Sequence, residues 1–187
     1  MALWRELGDA RGLARALAQL GLTTLDRDPA AATALLEEAV ALARAAGDRW
    51  CLALALRFLG NLEIRGPAAP GGSAGGGASG PSPLEASAAL FRELGDAWGL
   101  GTALNGLGLR AFRAGDHAAA RALLEEGLAL RRTMGDRSGV AAMLQSLAAV
   151  ARSQGDVRAP ATRAVSPSSC ARARHSYANA AAARTSP

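Results

Sequence analysis

Four Gly-Asp pairs punctuate the chain, Gly8-Asp9, Gly47-Asp48, Gly95-Asp96 and Gly135-Asp136, with spacings of 39, 48 and 40 residues. A recurrence of this length means that one supersecondary unit is used several times and that each copy completes its core against the next. From each Asp the apolar positions return at the same offsets. They are Leu13, Leu52, Leu100 and Val140, then Leu17, Leu56, Leu104 and Leu144, then Leu20, Leu59, Leu107 and Leu147. Offsets of four, eight and eleven residues place them on one stripe of a helix, which we term helix A. Each Asp is expected to cap that helix by accepting its first free amides, and each preceding Gly to end the helix before it.

Directly after the last stripe position come Gly21, Gly60, Gly108 and Ala148. A residue without bulk at a fixed helical phase predicts a second helix crossing close by. That second helix, B, follows a turn marked by Asp28-Pro29 or Gly115-Asp116, with Pro29 suited to a first helical position. Leu35, Leu36, Val40 and Leu42 of the first copy stand where Leu123, Leu124, Leu128 and Leu130 stand in the third.

The second copy departs from this plan. Residues 66–83, GPAAPGGSAGGGASGPSP, cannot sustain a helix and are expected to form a flexible loop, leaving a shortened helix B from about Leu84 to Leu94. The ends depart as well. Residues 1–9 match the end of a helix B, and after helix A of the fourth copy, which should finish near Ser153, no apolar periodicity returns. The expected organisation is repeats over 1–65, the loop at 66–83, repeats again over 84–156, and a disordered basic tail over 157–187. So abrupt a change reads as a fragment, with a tail of the kind a shifted reading frame produces in a GC-rich gene.

Charge follows the same division. All 16 acidic residues lie at or before Asp156, as do 16 of the 21 Arg, and there is no Lys. The net charge of +5 therefore belongs to the tail, through Arg158, Arg163, Arg172, Arg174 and Arg184. Nonspecific attraction of nucleic acid is the most such spaced arginines imply. Exclusive use of Arg points to a bacterial source. No stretch is apolar enough to span a membrane, and two unrelated cysteines, Cys51 and Cys170, make no disulfide framework, so a cytoplasmic protein is expected.

Leu107-Gly108, Gly115-Asp116, Ala120, Leu124 and Leu128 resemble the tetratricopeptide repeat at its Leu-Gly, turn, Ala and large apolar positions. The period of about 40 residues, with the recurrent ELGD, is similar to the longer repeats of large bacterial transcriptional regulators of the MalT and LuxR type. The resemblance covers residues 1–156. It implies an all-α fold, a right-handed superhelical solenoid of antiparallel helix pairs. It also implies a non-enzymatic scaffold that binds a protein or peptide through the concave surface lined by helix A. On that surface the outward polar residues are expected to be Arg15, Arg57, Asn61, Thr102, Asn105, Arg113, Gln145 and Arg152. The terminal helices would allow self-association, and a regulator touching nucleic acid through its tail is the alternative.

Chemistry-bearing residues are few. The Gly-rich stretch lacks the Lys and the preceding strand of a phosphate loop. His117 and His175 have no ligand partners at metal spacing. Cys51 shares its phase with Gly12, Gly99 and Gly139 and should be a buried, inert thiol, while Cys170 should be exposed. Trp50 and Trp98 share a phase two residues past the capping Asp and are expected to pack in the core or at a repeat edge. No catalytic, cofactor or metal site is expected.

Overall fold

A computed structural model describes residues 8–65 and 80–155. Its described residues are helical or turn, with no strand. The seven helices among them are α1 (Ala10–Thr24), α2 (Pro29–Ala45), α3 (Arg49–Arg65), α4 (Pro83–Leu94), α5 (Ala97–Arg113), α6 (His117–Thr133) and α7 (Arg137–Ser153). They fall into two compact units that divide between Leu94 and Gly95. In the first unit α1 pairs with α2 and α3 with α4, and α3 also contacts α1 and α2. In the second α5 pairs with α6, and α7 packs on both.

Helix boundaries follow from the punctuation read in the sequence. Asp9, Asp28, Asp48, Asp96, Asp116 and Asp136 each accept the amide three residues on, at 2.9 to 3.0 Å. That satisfies a donor which the first helical turn would otherwise leave free. The turns before five of these caps need a left-handed residue. Gly supplies it without a Cβ penalty, with φ of 65° at Gly47 and 82° at Gly115. At α4 the interruption has kept a different start signal, a reciprocal box. The Ser82 amide donates to Glu85 Oε2 at 2.9 Å, and the Glu85 amide to Ser82 Oγ at 3.4 Å. The helix begins at Pro83, one residue before the expected Leu84. Of the expected loop, residues 66–79 lie outside the described residues, as do residues 1–7 and the tail from residue 156 onward.

Each A–B pair is closed by the same contact. A Cβ placed on Gly21 would stand 2.7 Å from Leu36 Cγ, and one on Gly108 would stand 2.7 Å from Leu124 Cγ. Both leucines are fully buried, and Gly60 makes the corresponding contact with Leu84. Gly at these places is thus a packing requirement. Gly108→Ala is expected to lower stability by about 1 kcal/mol, because overpacking of about 1 to 3 kcal/mol outweighs the roughly 1 kcal/mol that Ala gains in helix propensity. Thermal melts of the two proteins give the sign, and a stabilised variant would refute the contact.

One expectation about the stripe is corrected. Leu20 shares the phase of Leu107, yet is 42% exposed where Leu107 is buried. Trp50 and Trp98 are 41% and 51% exposed, at an edge and not in the core.

Candidate functional site

The eight polar residues expected on the A helices differ in their surroundings within each unit. In the first unit Arg15 projects from α1 and its Nη2 and Nε reach Asp48 Oδ2, at 2.9 and 3.0 Å. The Arg15 side chain stays 59% exposed while that of Asp48 is 7% exposed. Asn61 is half-buried on α3. Arg57 is the correction: it is buried, with its guanidinium carbon 4.2 Å from the Phe58 ring centroid. Its phase is that of Ala18, which is fully buried, so this stripe faces neighbouring helix instead of water.

In the second unit Thr102 and Asn105 are half-buried on α5 and engaged internally. Thr102 Oγ1 donates to the Trp98 carbonyl at 2.9 Å and accepts from Arg131 Nη2. Asn105 Oδ1 accepts from Ser146 Oγ of α7 at 3.1 Å, which ties two consecutive A helices together. Arg113, Gln145 and Arg152 are exposed. Arg113, Gln145 and Arg152 are thus exposed, Arg15 is exposed while paired with Asp48, and Thr102 and Asn105 are engaged between helices.

Sequence reasoning missed the strongest polar constellation, centred on Arg131 of α6. Its side chain is 7% exposed and its Nη1 donates to Asp136, the cap of α7. Its guanidinium carbon lies 5.2 Å from the Trp98 ring centroid. Two glycines make room: a Cβ on Gly101 would stand 2.8 Å from Arg131 Nε, and one on Gly139 would stand 2.5 Å from its Cδ. At the matching places the first unit has Ala14, Ala43 and Cys51, which pack as an apolar cluster. There the capping Asp48 takes its arginine from α1, as Arg15, in the place where α5 carries Thr102. Both units thus bind the capping carboxylate of an A helix to an arginine of the preceding hairpin, by different routes. Comparing Arg15-Ala43 with Thr102-Arg131 between the repeats is the signal that would have found it.

These contacts set the local electrostatics. Burial pushes the Asp48 carboxyl up, but the Cys51 amide and the Arg15 and Arg11 guanidinium groups outweigh it and hold it below its ordinary value of 3.8. Asp136 is likewise held low, by the Gly139 amide first and then by Arg131. A depressed folded value stabilises the fold above the unfolded carboxylate value and loses that contribution as pH falls through the folded one. Asp48→Asn should therefore be less stable than the parent at neutral pH, and the gap should narrow as pH falls below 3.8, the ordinary value of the carboxyl. Urea titrations at pH 7 and pH 2.5 that showed the same gap would contradict this. Burial, reinforced by the negative Asp48, raises the Cys51 thiol to about 11, so it is un-ionised and inert at neutral pH, as its sequence phase indicated.

His117 packs against Phe112 with ring centroids 5.6 Å apart. Among the described residues no three His, Cys, Asp or Glu side chains gather as a metal site, and no helix is long and apolar enough to cross a membrane.

No curated protein matches the sequence. The family model described as "Anaphase-promoting complex subunit 5" matches residues 5–65 and 100–154. The first match runs from before α1 to the end of α3, and the second covers nearly all of α5 and the whole of α6 and α7. The gap between them holds the Gly- and Pro-rich stretch and α4, where the copies diverge. With more than half of its length matched, by a model that reaches helices of both units, the chain belongs to the anaphase-promoting complex subunit 5 family of helical-repeat proteins.

Proposed function

We propose that this protein is a non-enzymatic scaffold that holds a protein or peptide partner on the exposed faces of its helical hairpins. The observation that carries this reading is the family match across both units, because the family's description names a subunit of a complex. Repeated hairpins suit that role, since most of their surface is exposed helix faces and their cores are made of Leu and Ala. The residues offered to a partner are Arg15, Asn61, Arg113, Gln145 and Arg152, whose guanidinium and amide groups grip carboxylates and peptide backbone. Thr102 and Asn105 contribute only what their internal bonds leave over, and Arg57 contributes through packing.

The spacing of about 40 residues with recurrent Leu-Gly-Asp supports a finer placement, as a cytoplasmic fragment of a large bacterial regulator of the kind it resembles. The arginines after Asp156 would then add a nonspecific nucleic-acid contact that weakens steeply with salt.

Affinity purification of the tagged full chain from its native cells tests the scaffold reading, with an unfolded core variant as the control. Stoichiometric enrichment of a particular protein by the parent alone is expected. Enrichment of the same proteins by the unfolded variant would overturn the reading.

A further inference from the structure

Helix α7 is an A helix without a B helix beside it among the described residues, and its open face has a composition of its own. Arg137, Ala141, Leu144, Ala148 and Arg152 follow one another at helical spacing along that face. Four of them are exposed and Leu144 is half-buried. The same phase of α5 is Ala97, Gly101, Leu104 and Gly108, all buried, with Gly101 against Arg131 and Gly108 against Leu124 of α6. Between the two helices four positions have changed in kind. Gly101 and Gly108 are replaced by Ala141 and Ala148, and arginines stand at both ends, where α5 has Ala97 and Phe112. Neither Arg137 nor Arg152 has an ion-pair partner among the described residues.

The chain contains a template for such a face. Helix α3 carries Arg49 at the phase of Arg137, and Arg49 pairs with Glu93 near the C-terminal end of the antiparallel α4. Between them Ser87 Oγ of α4 donates to the Ala53 carbonyl at 2.7 Å, and Leu84 crosses at Gly60. An arginine at the start of an A helix is thus met by a carboxylate near the end of the helix lying against it. At the other end of α7, Arg152 calls for a carboxylate in the first turn of the incoming helix, where the helix dipole also favours one.

Ala148 disfavours this chain's own B helices as occupants. Leu36 and Leu124 approach so closely that a Cβ on the facing glycine would stand 2.7 Å from Cγ, and Ala148 already carries that Cβ. The residues after Asp156 are excluded on charge, since they include no Asp or Glu and would set arginine against Arg137 and Arg152. The geometry points to a helix of a different protein: an antiparallel amphipathic helix, acidic at both ends and with a small residue where it crosses Ala148, docks on the open face of α7. This inference rests on the scaffold reading and names the class of partner for one of its surfaces.

A labelled synthetic peptide of residues 81–94 carrying Leu84→Ala is the probe, because it retains Glu85 in its first turn and Glu93 near its end. It is titrated against the full chain by fluorescence anisotropy. The substituted peptide should bind more tightly than the same peptide with Leu84 kept, and Ala148→Gly in the protein should erase that preference. Arg137→Glu should weaken binding by about fivefold, as an exposed ion pair does, and a peptide with Glu93→Arg should restore it. Because Arg137 and Ala148 are exposed, the variants should keep the parent's helical circular dichroism.

Three outcomes overturn the inference. One is binding indifferent to Arg137→Glu and Ala148→Gly. Another is equal binding of a peptide of residues 171–187, which would make the tail the occupant. The third is a concentration-dependent dimer that Arg137→Glu disperses, which would make it a second copy. If the peptide fails while the parent still enriches its partner from native cells, only this site falls and the scaffold reading stands.

Discussion

Leu124→Asp is expected to unfold the second unit. Leu124 is fully buried at the crossing of α5 and α6, with its Cγ against Gly108 and with Ala120, Leu128, Met143 and Val150 in the same cluster. Losing the burial of a leucine costs about 2 to 3 kcal/mol, and a carboxylate without a partner there adds a desolvation cost of several more. Against a total stability of about 5 to 15 kcal/mol for a domain, that is enough to remove the cooperative transition. Neighbouring Glu125 is exposed, so Glu125→Ala should melt within about 0.5 kcal/mol of the parent. Circular dichroism of the two variants decides the matter, and a Leu124→Asp protein melting like the parent would mean that α6 is misplaced by phase.

Arg131→Ala should be the next most damaging change, by about 3 kcal/mol, because it empties a space that Gly101 and Gly139 leave open around the side chain. It also removes the partner of Asp136 and the donor to Thr102. The first unit shows how the loss can be repaired. Its equivalents, Ala14, Arg15, Ala43 and Cys51, fill the same space with small apolar groups and supply the arginine from the other helix. Transplanting that set, as Gly101→Ala, Thr102→Arg, Arg131→Ala and Gly139→Cys together, should recover most of the stability that Arg131→Ala loses. Such recovery is a coupling among contacting sites, which independent effects would not produce. Denaturant titration of the single and quadruple variants measures it, and a quadruple variant no more stable than Arg131→Ala would show the two arrangements not to be equivalent.

The match between the repeats explains why so much of the helical plan is readable without coordinates. Capping by Asp, helix ends at Gly and the A–B crossing at Gly21, Gly60 and Gly108 all depend on residues that are near in sequence or repeated at one period. The start of α4 was legible too, through Ser82 and Glu85, although the Gly- and Pro-rich context hid it. The candidate binding face was read less well. Helical phase says which side of helix A a residue occupies, but not which neighbour lies on that side.

Sequence alone determined the all-α class, the caps and turns of the described hairpins and the glycine contacts that close them, because those rest on local hydrogen bonding and a single apolar period. Only the tertiary structure decided the fate of individual polar and edge residues. Arg57 is buried where Gln145 at the same phase is exposed, and Leu20 is exposed where Leu107 is covered. Asp48 and Asp136 draw their arginines from different helices. In each case the residue's own phase is the same, and what differs is the helix packed against it, a property of the stack that no single repeat contains.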